Sequence, residues 1–216
     1  MVELILLLSF YRALIKALFF MKIICITDTH GYHEQLDLPA GDMIIHAGDI
    51  SKRGLATEVR TFIDWFTGLP YRHKLFIGGN HDFMLENQPA LFKELLNDQI
   101  IYLEDDWTVI ECIRFWGSPI SPFFFDWAFN RHRGADIKRY WEPIPDDIDI
   151  LVTHGPPLGY GDRIYSGDLV GCADLLEAVQ RVRPAYHIFG HIHEAYGTFT
   201  DGETRYLNAS VVNLSY

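Results

Sequence analysis

From Met21 onward the chain alternates short apolar runs with segments of helical periodicity. "IICIT" (23–27), "MIIHAG" (43–48), "KLFIGG" (74–79), "DILVTH" (149–154) and "YHIFGH" (186–191) are nearly continuous apolar runs, the pattern of strands covered on both faces. Between them lie amphipathic stretches that predict helices. "EVRTFIDWFTGL" (58–69) ends at glycine and proline, "PALFKELLND" (89–98) opens on proline, and "GCADLLEAVQRVRP" (171–184) stops at proline. "WTVIECIRFWGS" (107–118) reads as one strand, 119–145 as an aromatic, irregular segment, and "YGTFTDGETRYLNAS" (196–210) as a hairpin turning at Asp201-Gly202. The expectation is one α/β domain over 21–216, with a mixed or paired sheet because a hairpin follows the alternating part.

The first twenty residues, "MVELILLLSFYRALIKALFF", break this pattern. Glu3, Arg12 and Lys16 interrupt the apolar run and weaken a membrane-spanning reading, and the positive charge follows the apolar run where a secretory signal needs it first. On a helix, Ser9, Arg12 and Lys16 form one narrow polar stripe, so the segment could lie on a membrane or pack on the domain. Met21 equally begins a complete strand entry, "MKIICITDTH", which makes residues 1–20 an apolar N-terminal extension: either a helix or a misassigned start.

A chain of 216 residues with a formal net charge of -11 has room for a real core and a surface that repels long nucleic acid. Cys25, Cys112 and Cys172 are scattered through apolar stretches without a CxxC pair, which favours buried free thiols in a reducing, cytoplasmic setting.

The chemistry gathers at the C-terminal ends of the expected strands, where open α/β sheets place their ligands. Asp28 and His30 follow the first run, Asp49 the second, Asn80, His81 and Asp82 the third, His154 the fourth, and His191 and His193 the fifth. Taken singly, each cluster has a plainer explanation: DxH and GD are common in turns, and Asn80 after two glycines suits a left-handed turn. Five clusters at five equivalent ends are not independent accidents, and together they favour metal binding. Carboxylate, imidazole and amide donors without thiolate suit Mn, Fe or Zn. Seven such side chains exceed one tetrahedral ion but fit two ions sharing a carboxylate, an arrangement used to clamp attacking and leaving oxygens. Two carboxylates against two divalent ions leave a positive cavity that favours phosphate.

In this order, DxH, GD, GNHD, a His before Gly, and GHxH resemble the calcineurin-like metallophosphoesterase superfamily. "THGPPLGYGDR", "FGHIHEAYGTF" and the terminal "NASVVN" are similar to its metallophosphoesterase-domain-containing subgroup, which includes small phosphodiesterases acting on cyclic nucleotides. The resemblance implies a four-layer sandwich, two mixed β-sheets flanked by helices. It implies that Asp28, His30 and His193 hold one divalent ion, that Asn80, His154 and His191 hold the other, and that Asp49 bridges both. His81 would act on the substrate side as proton donor or phosphate stabiliser, oriented by Asp82, with Asn80 and His81 contacting substrate. The expected reaction is in-line hydrolysis of a small phosphodiester such as a cyclic nucleotide, by hydroxide formed from water on the metals. A phosphomonoesterase and a non-catalytic nucleotide-binding scaffold are the alternatives. Within "SPFFFDWAFNRHRG" (121–134), Arg131 or Arg133 could fork onto phosphate and an aromatic face could stack on a base, while most of Phe123–Phe125 and Trp127 are expected in the core.

Overall fold

The computed structural model describes residues 2–6, as backbone, and 21–212. Its first sheet has the order β1 (Val2–Leu6), β2 (Met21–Ile26), β3 (Met43–Ala47), β4 (His73–Ile77) and β5 (Ile101–Tyr102). The β2–β5 strands run parallel, and β1 lies antiparallel to β2 with Val2 opposite Cys25. Residues 2–6 therefore pair along an open strand edge instead of starting a helix, while 7–20 lie outside the described residues. Among the described residues no helix is long and apolar enough to cross a membrane.

The second sheet is built from β6 (Asp106–Ile110), β7 (Ile113–Ser118), β10 (Ile150–Thr153), β11 (Tyr186–Phe189), β12 (Gly197–Thr200) and β13 (Arg205–Asn208), in the order β12-β13-β11-β10-β7-β6. Its four central strands are parallel and both edges antiparallel, so the sheet is mixed. The run 107–118, expected as one strand, is a hairpin. Ile110 pairs with Ile113, and Glu111 and Cys112 adopt φ of 48° and 65°, the two-residue turn that matches strand twist. That turn leaves Cys112 exposed, whereas Cys25 and Cys172 are buried; all three are free thiols.

Strand alternation separates two core layers. Ile23, Cys25, Ile45 and Leu75 of the first sheet pack against Phe115, Ile150, Val152 and Ile188 of the second. The opposite faces, including Ile24, Phe76, Leu151 and Tyr206, belong to the helix-side core. The helices are α1 (Ala56–Gly68) and α3 (Pro89–Leu95) beside the first sheet, and α4 (Ala135–Trp141) and α5 (Ala173–Val182) beside the second. The short α2 (Phe83–Asn87) and a two-stranded pair, β8 (Ser121–Pro122) with β9 (Asn130–Arg131), fall in stretches without a readable period. The result is a sandwich of two mixed sheets flanked by helices. Its consequence is positional: β2, β3, β4, β10 and β11 all deliver their C-terminal ends to one edge.

Candidate metal centre

At that edge the strands give way to strained backbone. Asp28, His30, Asp49 and His191 have φ of 57°, 44°, 56° and 67°, a left-handed conformation that side-chain-bearing residues adopt at a cost of about 1–3 kcal/mol each. Neighbouring loops hold these turns: Asp28 N–H donates to Gly48 O and His30 N–H to Asp49 O, both at 3.0 Å. Two glycines let the turns approach one another. A Cβ on Gly79 would stand 2.4 Å from Asp49 Oδ1, and one on Gly190 would stand 2.2 Å from Asp28 Oδ2.

The side chains so presented converge. Asp28, His30 and His193 offer donor atoms within 4.8 Å of one another, as do Asp49, His154 and His191, and His30, Asp49 and His81. His30 Nε2 stands 3.3 Å from His193 Nε2, and His193 Nε2 stands 3.6 Å from Asp28 Oδ1. Asp49 lies between the groups, with Oδ2 3.7 Å from His30 Nε2 and Oδ1 3.4 Å from His154 Nε2. Asn80 Oδ1 is 2.7 Å from His154 Nε2. Two carboxylates, an amide oxygen and four imidazoles aimed at one small volume suit a pair of divalent ions of the hard-to-borderline class. The supporting bonds also fit: Ser210 Oγ donates to Asp28 Oδ2 at 2.6 Å, His191 N–H donates to Asp28 at 3.0 Å, and His154 Nδ1 bonds Ala47 O at 3.1 Å.

The protonation pattern without ions reflects the crowding. Burial alone would raise Asp28, but the neighbouring His193 imidazole and the charge of His154 hold it well below the usual carboxylate range. Burial would also raise Asp49, yet His154 and His30 hold it low. His154, despite burial, is pushed up to about 9 by Asp49 and Asp28, whereas burial and the His154 charge push His191 down to about 4.

His81 stands at the rim, its Nε2 3.9 Å from Asp49 Oδ2. Its Nδ1 lies 2.8 Å from Lys52 O, and a carbonyl only accepts, so Nδ1 carries the hydrogen and Nε2 faces the cavity. The ring packs 4.3 Å from that of Trp127, centroid to centroid. Asp82, expected to orient His81, is placed otherwise. Its carboxylate accepts from Ile50 N–H, Ser51 N–H, Ser51 Oγ and Gly79 N–H, so it pins the β3 and β4 loops together. Burial and the neighbouring Asp49 push it up to about 7 against the hydrogen bonds from Ser51 and Gly79. Lys52 O takes the role assigned to Asp82.

The two arginines are also corrected. Arg131 bonds Glu86 at 3.0 Å and Tyr140 Oη at 2.8 Å, and Arg133 bonds the carbonyls of Gly171 and Val170 at 2.7 and 2.6 Å. Both hold segments of chain together, so neither guanidinium is turned toward a phosphate. Phe123, Phe124 and Phe125, expected in the core, are 46%, 59% and 78% exposed. Ser210, two residues beyond the end of β13, obeys the same strand-end rule as the other clusters, although a lone serine there carries no ligand signal.

Residues 21–195 match the family described as calcineurin-like phosphoesterase. The chain is 39% identical over 221 residues to human metallophosphoesterase domain-containing protein 1, covering 91% of this chain and 68% of that one. It is 40% identical to a UPF0046 protein of Caenorhabditis elegans, covering 89% of this chain and 56% of the relative. Among solved structures, phosphopantetheinyl hydrolase from Mycobacterium tuberculosis superposes with a TM-score of 0.59 at 16% identity, over 88% of each chain, a likeness of fold alone.

Proposed function

Because the chain belongs to the calcineurin-like phosphoesterases, a family of dinuclear metal-dependent phosphoester hydrolases, we propose that it hydrolyses a small phosphodiester, with cyclic nucleotides as the first candidates. The observation that carries this reading is the convergence of seven donor side chains, with Asp49 between two groups and His81 at the rim. In this reading Asp28, His30 and His193 hold one ion, Asn80, His154 and His191 the other, and Asp49 touches both. Such ions, of the Mn, Fe or Zn class, supply Lewis acidity toward water and the phosphoryl oxygens.

The remaining steps belong to the chain. His81, fixed by Lys52 O and packed on Trp127, presents Nε2–H when protonated and passes that proton to the departing ester oxygen. Asn80 and His81 border the phosphoryl site. Asp82 and Ser51 keep the two loops from separating. Three free thiols, two of them buried, support a reducing, cytoplasmic setting.

A screen of nucleotide mono- and diesters against the manganese-loaded protein tests the proposal. Turnover of a diester that stops on chelation is expected. Preference for monoesters would replace the diesterase reading, and binding without turnover would leave a scaffold.

A further inference from the structure

A chamber of about 540 Å³ opens beside the candidate metal centre, and His191 belongs to both. Phe123, Phe124, Leu158, Leu169 and Ile192 form much of its wall. Phe123, Phe124 and Leu169 are 46%, 59% and 45% exposed, a concentration of apolar surface that a folded chain does not leave open without use. The charged side chain in the wall, Arg133, is turned onto the carbonyls of Gly171 and Val170. The size is that of a site for a small organic group, and its lining rewards apolar contact.

Its position relative to His81 sharpens this. His81 groups with His30 and Asp49, whereas the chamber joins the centre through His191, which groups with Asp49 and His154. His81 Nε2 lies 3.9 Å from Asp49 Oδ2 and His154 Nε2 lies 3.4 Å from Asp49 Oδ1, so the proton donor and the group that contains His191 meet different oxygens of that carboxylate. A phosphoryl group seated at Asp49 would turn one ester oxygen to His81 and another to the chamber, and a monoester has no second arm to place there.

We infer that the chamber binds the retained arm of a phosphodiester, and that this arm is an uncharged aromatic or branched-alkyl group. The inference rests on the phosphoesterase reading and narrows it. Water adds its oxygen to phosphorus as the P–O bond to the arm at His81 breaks, and it releases one proton, which restores protonated His81 through solvent at the end of the turnover. The departing oxygen takes a proton from His81 Nε2, and the phosphate monoester of the apolar alcohol remains. In a cyclic nucleotide both ester oxygens belong to one sugar, so the departing oxygen stays on the product and the base is the group that enters the chamber, its faces stacking on Phe123 and Phe124; apolar area then governs affinity more than base identity.

Two measurements test this. The first is calorimetric binding of naphthylmethylphosphonate and methylphosphonate to the manganese-loaded protein. The naphthyl compound is expected to bind tighter by on the order of 10²-fold, the gain from burying a bicyclic ring less the cost of ordering it. The second is the alcohol released from naphthylmethyl methyl phosphate, whose two alcohols leave with similar ease. Methanol is the expected product, with naphthylmethyl phosphate retained. Leu158→Asp should erase the phosphonate preference, and Phe124→Ser, at a position too exposed to unfold the chain, should reduce it several-fold. Equal binding of the two phosphonates, or release of naphthylmethanol, overturns the inference. A preserved phosphonate preference with no turnover of any ester overturns the catalytic reading and supports the chamber as an apolar subsite.

Discussion

The two sheets end at the same edge but bring different charges to it. β2, β3 and β4 of the first deliver both candidate ligand carboxylates, Asp28 and Asp49, with Asn80, His30 and His81. β10 and β11 of the second deliver imidazoles alone: His154, His191 and His193. Each half is then held by the other. Asp28 is gripped by Ser210 Oγ and His191 N–H from the second sheet, and His154 by Ala47 O from the first. A buried His–Thr bond braces each sheet below the site, His46 to Thr29 at 2.9 Å and His187 to Thr153 at 2.8 Å. The acidic half thus depends on the basic half for orientation as well as charge balance, and the site exists only where the sheets are packed together.

Removing the rim histidine should have the largest kinetic effect while leaving both halves intact. His81→Ala is expected to slow an alkyl or nucleotide diester by about 10²–10⁴-fold, the usual worth of general acid–base help. It should slow a nitrophenyl diester far less, because that leaving group departs without a proton. Metal content should not change; equal loss on both substrates would make His81 a positioning group.

Cutting one cross-sheet grip comes next. Ser210→Ala should weaken one ion by about 10–100-fold, the range for a lost supporting partner, and spare the other. Titration with a competing chelator resolves the two affinities. Equal weakening of both would mean that the grip steadies the whole edge.

Much of this was legible in the chain, for a physical reason. Parallel strands buried on both faces read as apolar runs, and polar residues immediately beyond them stand out. That located the nine candidate residues, from Asp28 to His193, at strand ends that share one edge. The hairpin at Glu111-Cys112 was hidden because neither residue carries the glycine or asparagine signal of a left-handed turn. The side-chain partners were hidden too, since Asp82 sits next to His81 in sequence while its carboxylate points at Ser51. Arg131 and Arg133 were misread because a cation near aromatics looks the same whether it meets a phosphate or a backbone carbonyl. Phe123 and Phe124 mark the opposite error, apolar residues assigned to the core that line a chamber, and Phe125 beside them is 78% exposed.

Two smaller effects probe the halves through protons. With its pKa raised to about 9 in the ion-free protein, His154 holds a proton at pH 7 that an ion must displace. Metal affinity should therefore rise about tenfold per pH unit toward pH 9, with proton release visible as a dependence of the calorimetric heat on buffer ionisation enthalpy. A pH-independent affinity would contradict this charge balance. His187 behaves oppositely, since burial pushes it down to about 3. Above pH 6.5 neither folded nor unfolded chain binds its proton. Between 6.5 and about 3 only the unfolded chain does, so stability falls by up to ~1.4 kcal/mol per unit. His187→Phe should lower Tm at pH 8 by losing the Thr153 bond, and the gap to wild type should narrow toward pH 4. A constant gap would show that the brace is not proton-sensitive.

The measurement closest to the central claim is a metal count on Asp49→Asn beside His30→Ala, by elemental analysis after dialysis against limiting metal. If Asp49 joins the two halves, its variant loses both ions, whereas His30→Ala loses mainly one. An Asp49→Asn protein that is folded and retains two ions with wild-type affinity would contradict the account.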